Sequence, residues 1–128
     1  MPKTQGDKLR GHLEMLILAS LEKGEAHGME ILTRLEAGGC GLLRFKEGSL
    51  YPALYRLEAA GQIAGSWEKG PHGRRGARRC IYRLTIKGAR RLKAERGDFQ
   101  QFVSVVSGLL GVSSRTQLSI AGAIPWLS

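Results

Sequence analysis

With 128 residues, the chain has room for one small domain and a short appendage. Hydrophobic residues make up 42% of it, enough for a core, which excludes wholesale disorder. The net charge of +9 points to a polyanionic partner.

The charge is concentrated. Residues 1–64 hold eight Lys/Arg against eight Asp/Glu, and residues 97–128 hold only Arg115 and Asp98. The whole excess lies in residues 65–96, where eleven basic groups face Glu68 and Glu95. A solvated basic face normally mixes signs, and this one hardly does.

Residues 1–7 are polar and are expected to fray. Residues 8–23 read as a helix whose stripe runs through Leu9, Leu13, Leu16, Ile17 and Leu21. Lys3, Lys8 and Arg10 ahead of the apolar run faintly imitate a secretory leader. Glu14 within the run and the lack of a small-residue cleavage site argue against one. Residues 26–37 read as a second helix, with Ile31, Leu32 and Leu35 inward and Gly38-Gly39 as its stop. Gly24 and its neighbours look like the turn between two packed helices. Residues 40–47 form a loop ending near Lys46, where a phosphate could reach.

The segment Gly48-Ser49-Leu50-Tyr51-Pro52-Ala53-Leu54-Tyr55-Arg56-Leu57-Glu58 is the most informative. Leu50, Leu54 and Leu57 share one face of a helix over residues 49–60. Ser49 is expected as its N-cap, Pro52 in its first turn, and Gly61 as the left-handed stop. The opposite face carries Ser49, Tyr51, Pro52, Tyr55 and Arg56. Taken alone, this could be an ordinary amphipathic helix.

Residues 62–68 and 80–84 read as two strands of a hairpin, with Ile63 and Trp67 on one side of the first. Trp67 is expected as a core residue at the hairpin base. The loop between them, residues 70–79, carries Arg74, Arg75, Arg78 and Arg79 among three glycines, with Lys69 just ahead. Glycine lets backbone approach a phosphate, and arginine suits a narrow minor groove. A helix feeding a basic hairpin is the layout of a winged helix-turn-helix that reads duplex DNA.

Thr85 is expected to cap a long last helix over residues 86–111. Leu92, Phe99 and Val106 recur every seven residues on it, with Phe102 and Leu109 three residues after Phe99 and Val106 and Val103 alongside. That is an a/d seam, expected to join two copies rather than fold back on the domain. Residues 112–128 could dock on a dimer, line a ligand pocket or remain unstructured. The expected fold class is therefore mostly α with a small β-hairpin: a winged helix-turn-helix over residues 8–85, a dimerisation helix over 86–111 and a tail over 112–128.

Other chemistries find little support. His12, His27 and His72 have no metal-ligand spacing, and neither a Gly-x-Ser-x-Gly motif nor a phosphate-binding loop occurs. No enzyme, metal or cofactor is expected. Cys40 and Cys80 suggest no disulfide framework, so reduced thiols in a cytoplasmic protein are expected. The apolar stretch 99–112 is too short to span a bilayer. The main alternative is a general RNA- or single-strand-binding module stacking bases on Tyr51, Tyr55 and Trp67, against which count an aromatic content of 6% and a basic loop without aromatics.

The chain resembles PadR-like transcriptional regulators, more narrowly their short branch. The matching pieces are residues 13–21, His27-Gly28-Met29-Glu30-Ile31, Gly48-Ser49-Leu50-Tyr51-Pro52-Ala53-Leu54, Arg56-Leu57-Glu58, Gly61-Gln62-Ile63, and Tyr82-Arg83-Leu84-Thr85 with Gly88. The resemblance implies a dimeric repressor on a roughly palindromic operator. It puts Ser49, Tyr51, Pro52 and Arg56 on the part of the recognition helix that enters the major groove. It also implies a small hydrophobic or phenolic effector as one kind of control. In the resulting mechanism Lys46, Arg56, Lys69 and the loop arginines contact backbone, Tyr51 and Tyr55 contact base or sugar, and two copies space their helices ~34–36 Å apart.

Overall fold

The structure, a computed structural model, describes residues 12–39, 44–68 and 79–112. The expected polar start, Cys40, the basic loop from Lys69 through Arg78 and the tail after Val112 lie outside those residues.

Helix α1 (Leu13–Leu21) buries Leu13, Ile17, Leu18 and Leu21. Met15, Leu16 and Ala19 pack part-buried on the same core, so the stripe is as broad as its sequence. Gly24, at φ +134°, turns the chain in the left-handed region that favours glycine. Arg34 closes this turn from the next helix, donating to the carbonyls of Ser20 (3.0 Å), Gly24 (2.7 Å) and Glu25 (3.3 Å).

The second helix was expected from Ala26, but Ala26 and His27 are extended and form strand β1 (Ala26–His27). Helix α2 (Gly28–Gly38) begins after them because His27 caps it. His27 Nδ1 accepts from the Glu30 N–H (3.4 Å), and Glu30 Oε1 accepts from the His27 N–H (3.1 Å). This reciprocal capping box fixes the helix start.

Helix α3 (Glu47–Ala59) starts two residues before the expected Ser49 cap. Lys46 is the N-cap residue, without a side-chain bond, and its carbonyl accepts from the N–H groups of Ser49 (2.9 Å) and Leu50 (3.0 Å). Pro52 thereby falls inside the helix rather than in its first turn, and its ring nitrogen gives no bond to the Gly48 carbonyl. The helix ends in a Schellman motif: Gly61, at φ +75°, donates to Glu58 O (2.9 Å), and Gln62 donates to Leu57 O (2.9 Å).

Strands β2 (Ile63–Trp67) and β3 (Cys80–Leu84) pair antiparallel, with Gly65 opposite Tyr82 and Trp67 opposite Cys80. β1 adds on the far side of β3, with Ala26 opposite Tyr82, so the sheet order is β1-β3-β2. Ile63 is buried, but Trp67 is 61% exposed. The expected core role of Trp67 is thus overturned, because β2 has outrun the helices that cover its start.

Helix α4 (Ile86–Leu110) is entered through Thr85, whose hydroxyl accepts from the Gly88 N–H (3.1 Å) and donates to Gly61 O (2.7 Å). Ile17, Leu18, Ile31, Leu50, Leu54, Leu57, Ile63 and Leu92 are the large side chains at the centre of the core. Leu92 is 2% exposed within a single copy, so it is not available to a seam between copies. The chain divides into two compact units, one through Leu92 and the other from Lys93. In the second unit, Phe99, Phe102, Leu109 and Leu110 of α4 are exposed, and the Phe99 and Phe102 rings lie 6.4 Å apart.

A Cβ added to Gly88 would run into the carbonyl oxygen of Gln62, which is backbone and cannot swing aside. Gly88→Ala is therefore expected to lower stability by about 1–3 kcal/mol, as overpacking does. Denaturant unfolding checks this.

Candidate nucleic-acid interface

Burial of Leu50, Ala53, Leu54 and Leu57 fixes the rotation of α3, leaving Pro52, Tyr55 and Arg56 exposed. Lys46 is exposed at its start, and Ser49 is half-buried. Tyr51 turns toward the start of α2, where its phenol occupies the space that a Cβ on Gly28 would need. Burial, followed by the nearby Glu47 charge, raises the Tyr51 pKa. The Tyr51 and Tyr55 ring centroids are 6.3 Å apart, and Tyr55 is the more open of the two, at 60% exposure.

Between α3 and the sheet lies a cleft of about 350 Å³, walled by Met29, Tyr51, Tyr55, Trp67, Arg79 and Tyr82 among others. Arg79 stands at the base of the basic loop. Its Nη1 lies 2.9 Å from His27 Nε2 and its Nε 3.8 Å from Glu68 Oε1. A neutral imidazole has one acceptor nitrogen, so Arg79 and the α2 cap compete for the His27 lone pair. The helix cap and the hairpin base therefore meet on one ring.

Arg56 points to the other flank of α3. Its Nε donates to Glu14 Oε2 (2.7 Å), while Arg91 Nη1 donates to Glu14 Oε1 (3.0 Å) and to Gln62 Oε1 (2.7 Å). One carboxylate thus ties α1 to α3 and to the first turns of α4. The hydrogen bond from Arg56, reinforced by Arg91 and opposed by partial burial, holds the Glu14 carboxyl below its ordinary value.

The structure places Tyr51, Tyr55 and Arg79 on one cleft, while Lys46, Ser49 and Pro52 lie along the first half of α3 or at its start and Arg56 turns to the other flank. Lys69, Arg74, Arg75 and Arg78 fall outside the described residues. Sequence reading missed Glu14, Gln62 and Arg91. Glu14 did carry a signal, being the one acid within Leu13–Leu21. Among the described residues no cluster of His, Cys, Asp or Glu could hold a metal, and no helix is long and apolar enough to cross a membrane.

Three helices, a third strand beside a hairpin, and a helix with one buried and one open face define a winged helix-turn-helix. The family model of PadR-like transcriptional regulators matches residues 17–94, and the chain belongs to that family. Solved structures agree. A transcriptional regulator from Clostridium thermocellum is 28% identical, with a TM-score of 0.70, covering 80% of this chain and 96% of its own. A PadR family transcriptional regulator from Eggerthella lenta is 30% identical, with a TM-score of 0.69, covering 83% and 88%. A PadR-like transcriptional regulator from Bacillus cereus is 30% identical, with a TM-score of 0.67, covering 82% and 97%. No curated protein matches the chain. As a PadR-family member, the chain is a DNA-binding transcriptional regulator and not an enzyme.

Glu14 has a lower pKa folded than its ordinary value of 4.5. Its ion pairs therefore contribute fully above the unfolded value and are lost as pH falls through the lower folded one. Denaturant unfolding from neutral to acid pH should show the stability gap between wild type and Glu14→Gln narrowing with acidification. A gap independent of pH would contradict this.

Proposed function

We propose that the protein is a cytoplasmic repressor that acts as a homodimer on a roughly palindromic duplex operator. The observation that carries this is the two-sided α3: its leucine face is locked into the core, and its Pro52–Tyr55 edge stands open beside the hairpin that bears the basic loop. In this role Pro52, Tyr55 and Ser49 face the major groove. Lys46, Lys69, Arg74, Arg75, Arg78 and Arg79 supply the cations for backbone contacts that fix register, and Arg56 joins the helix residues that face the major groove. Tyr51 supports the edge from the cleft wall.

The homodimer rests on α4. Phe99, Phe102, Val103, Val106 and Leu109 fall within one helical stripe, and Phe102 and Leu109 are 61% and 83% exposed. A second copy covering that stripe removes it from water. Leu92 lies outside this contact, as its burial requires.

Two experiments test the proposal. If the four loop arginines of each protomer neutralise one phosphate each, log affinity for duplex DNA should fall with log salt at a slope of roughly −7. Arg74→Ala with Arg75→Ala should weaken all duplexes alike and flatten the slope, and a slope near zero in wild type would remove the electrostatic basis. In sedimentation, wild type should run as a dimer and Phe102→Asp as a monomer with an intact winged domain. A monomeric wild type would refute the dimer.

A further inference from the structure

Resting on the operator role proposed above, the geometry points to Glu14 as the positioning residue that aims Arg56 at the duplex. Arg56 is the only basic residue of α3, which otherwise carries Glu47 and Glu58. Among the described residues its one side-chain hydrogen bond is to Glu14, and it uses Nε. A guanidinium held by Nε keeps its two terminal Nη groups for another partner. Those groups form a planar fork that matches a phosphate or the O6/N7 edge of guanine. Arg56 lies one turn beyond Pro52 and is exposed, on the flank of α3 away from the cleft, so the operator role requires a duplex laid along the Pro52 side to reach that flank.

The carboxylate can aim this fork because it is itself clamped. Its second oxygen accepts from Arg91 (3.0 Å), and Arg91 is held in turn by the Gln62 side chain (2.7 Å). The Gln62 backbone is pinned at both ends, donating to Leu57 O (2.9 Å) and accepting from the Thr85 N–H (3.2 Å). The hold on Arg56 therefore reaches back through the C-terminal end of α3 itself and the start of α4. A free arginine at this position would sample many rotamers, and only one directional contact at a time would count. Fixed, it selects among sequences.

A purely structural ion pair and a positioning one make opposite predictions for binding. Removing the negative charge of Glu14 should favour any polyanion, whereas releasing Arg56 should hurt only the duplex that needs its geometry. The test uses the full chain, a duplex selected from a random pool and an unrelated duplex of equal length, at one salt concentration. Glu14→Gln is expected to lose about tenfold in affinity for the selected duplex, the size of one bidentate contact. Its affinity for the unrelated duplex should stay level or rise. The double variant Glu14→Gln/Arg56→Ala should bind like Arg56→Ala alone, because both changes remove the same contact. Equal losses on both duplexes, or effects that add in the double variant, overturn the inference. Should Glu14→Gln not fold, Arg56→Lys serves instead: it keeps the charge but not the Nε hold, and unchanged selectivity there overturns the inference. A wild type that prefers no duplex removes the operator role and this inference together. A selective wild type beside an equally selective Glu14→Gln overturns the role of Glu14 alone.

Discussion

Everything in this fold depends on how one face of α3 is held down. Leu50, Ala53, Leu54 and Leu57 are buried against residues that come from α1, α2, β2 and the first turns of α4. Each large side chain so buried contributes about 1.5–3 kcal/mol at most. The directional consequence matters more than the sum. A helix with four buried positions on one side cannot rotate, so its other side is fixed with equal firmness. Pro52 and Tyr55 are exposed because the leucines are not.

The surrounding polar contacts refine this arrangement. Glu14 gathers Arg56 and Arg91, Gln62 links the end of α3 to the entry of α4, and Thr85 caps α4 while bonding Gly61. Glycines permit the close approaches: Gly28 leaves room for the Tyr51 phenol and Gly88 for the Gln62 carbonyl. Several residues of the family-like motifs therefore act in packing. The His27-Gly28 pair caps a helix, contributes to the edge strand and admits a tyrosine.

Periodicity made the large elements legible. The leucine spacing of α3, the parity of the two long strands and the length of α4 were readable because side chains three, four or two apart must share a face. Local competition obscured the rest. Ala26 and His27 look like the start of a helix, but the cap at His27 and the free edge of β3 draw them into a strand. Ser49 has the right chemistry for a cap, yet the helix begins two residues earlier, at Glu47, with Lys46 as its N-cap. Leu92 shares the heptad spacing of Phe99 and Val106, and spacing alone does not reveal that the domain core claims the first of the three. Trp67 has the parity of Ile63 but lies beyond the helices that cover the sheet. Glu14 illustrates the hardest case: its partners Arg56 and Arg91 are distant in sequence, so no local pattern announces the contact.

In the proposed role, the open edge of α3 and the basic hairpin together grip a double helix. Direct competition tests it best: a labelled duplex bound to the full chain, challenged at fixed salt with unlabelled duplex or with single-stranded RNA of equal length. Duplex is expected to displace the label efficiently, and RNA to require far higher concentration. RNA displacing the label as well as duplex does, or better, would contradict it.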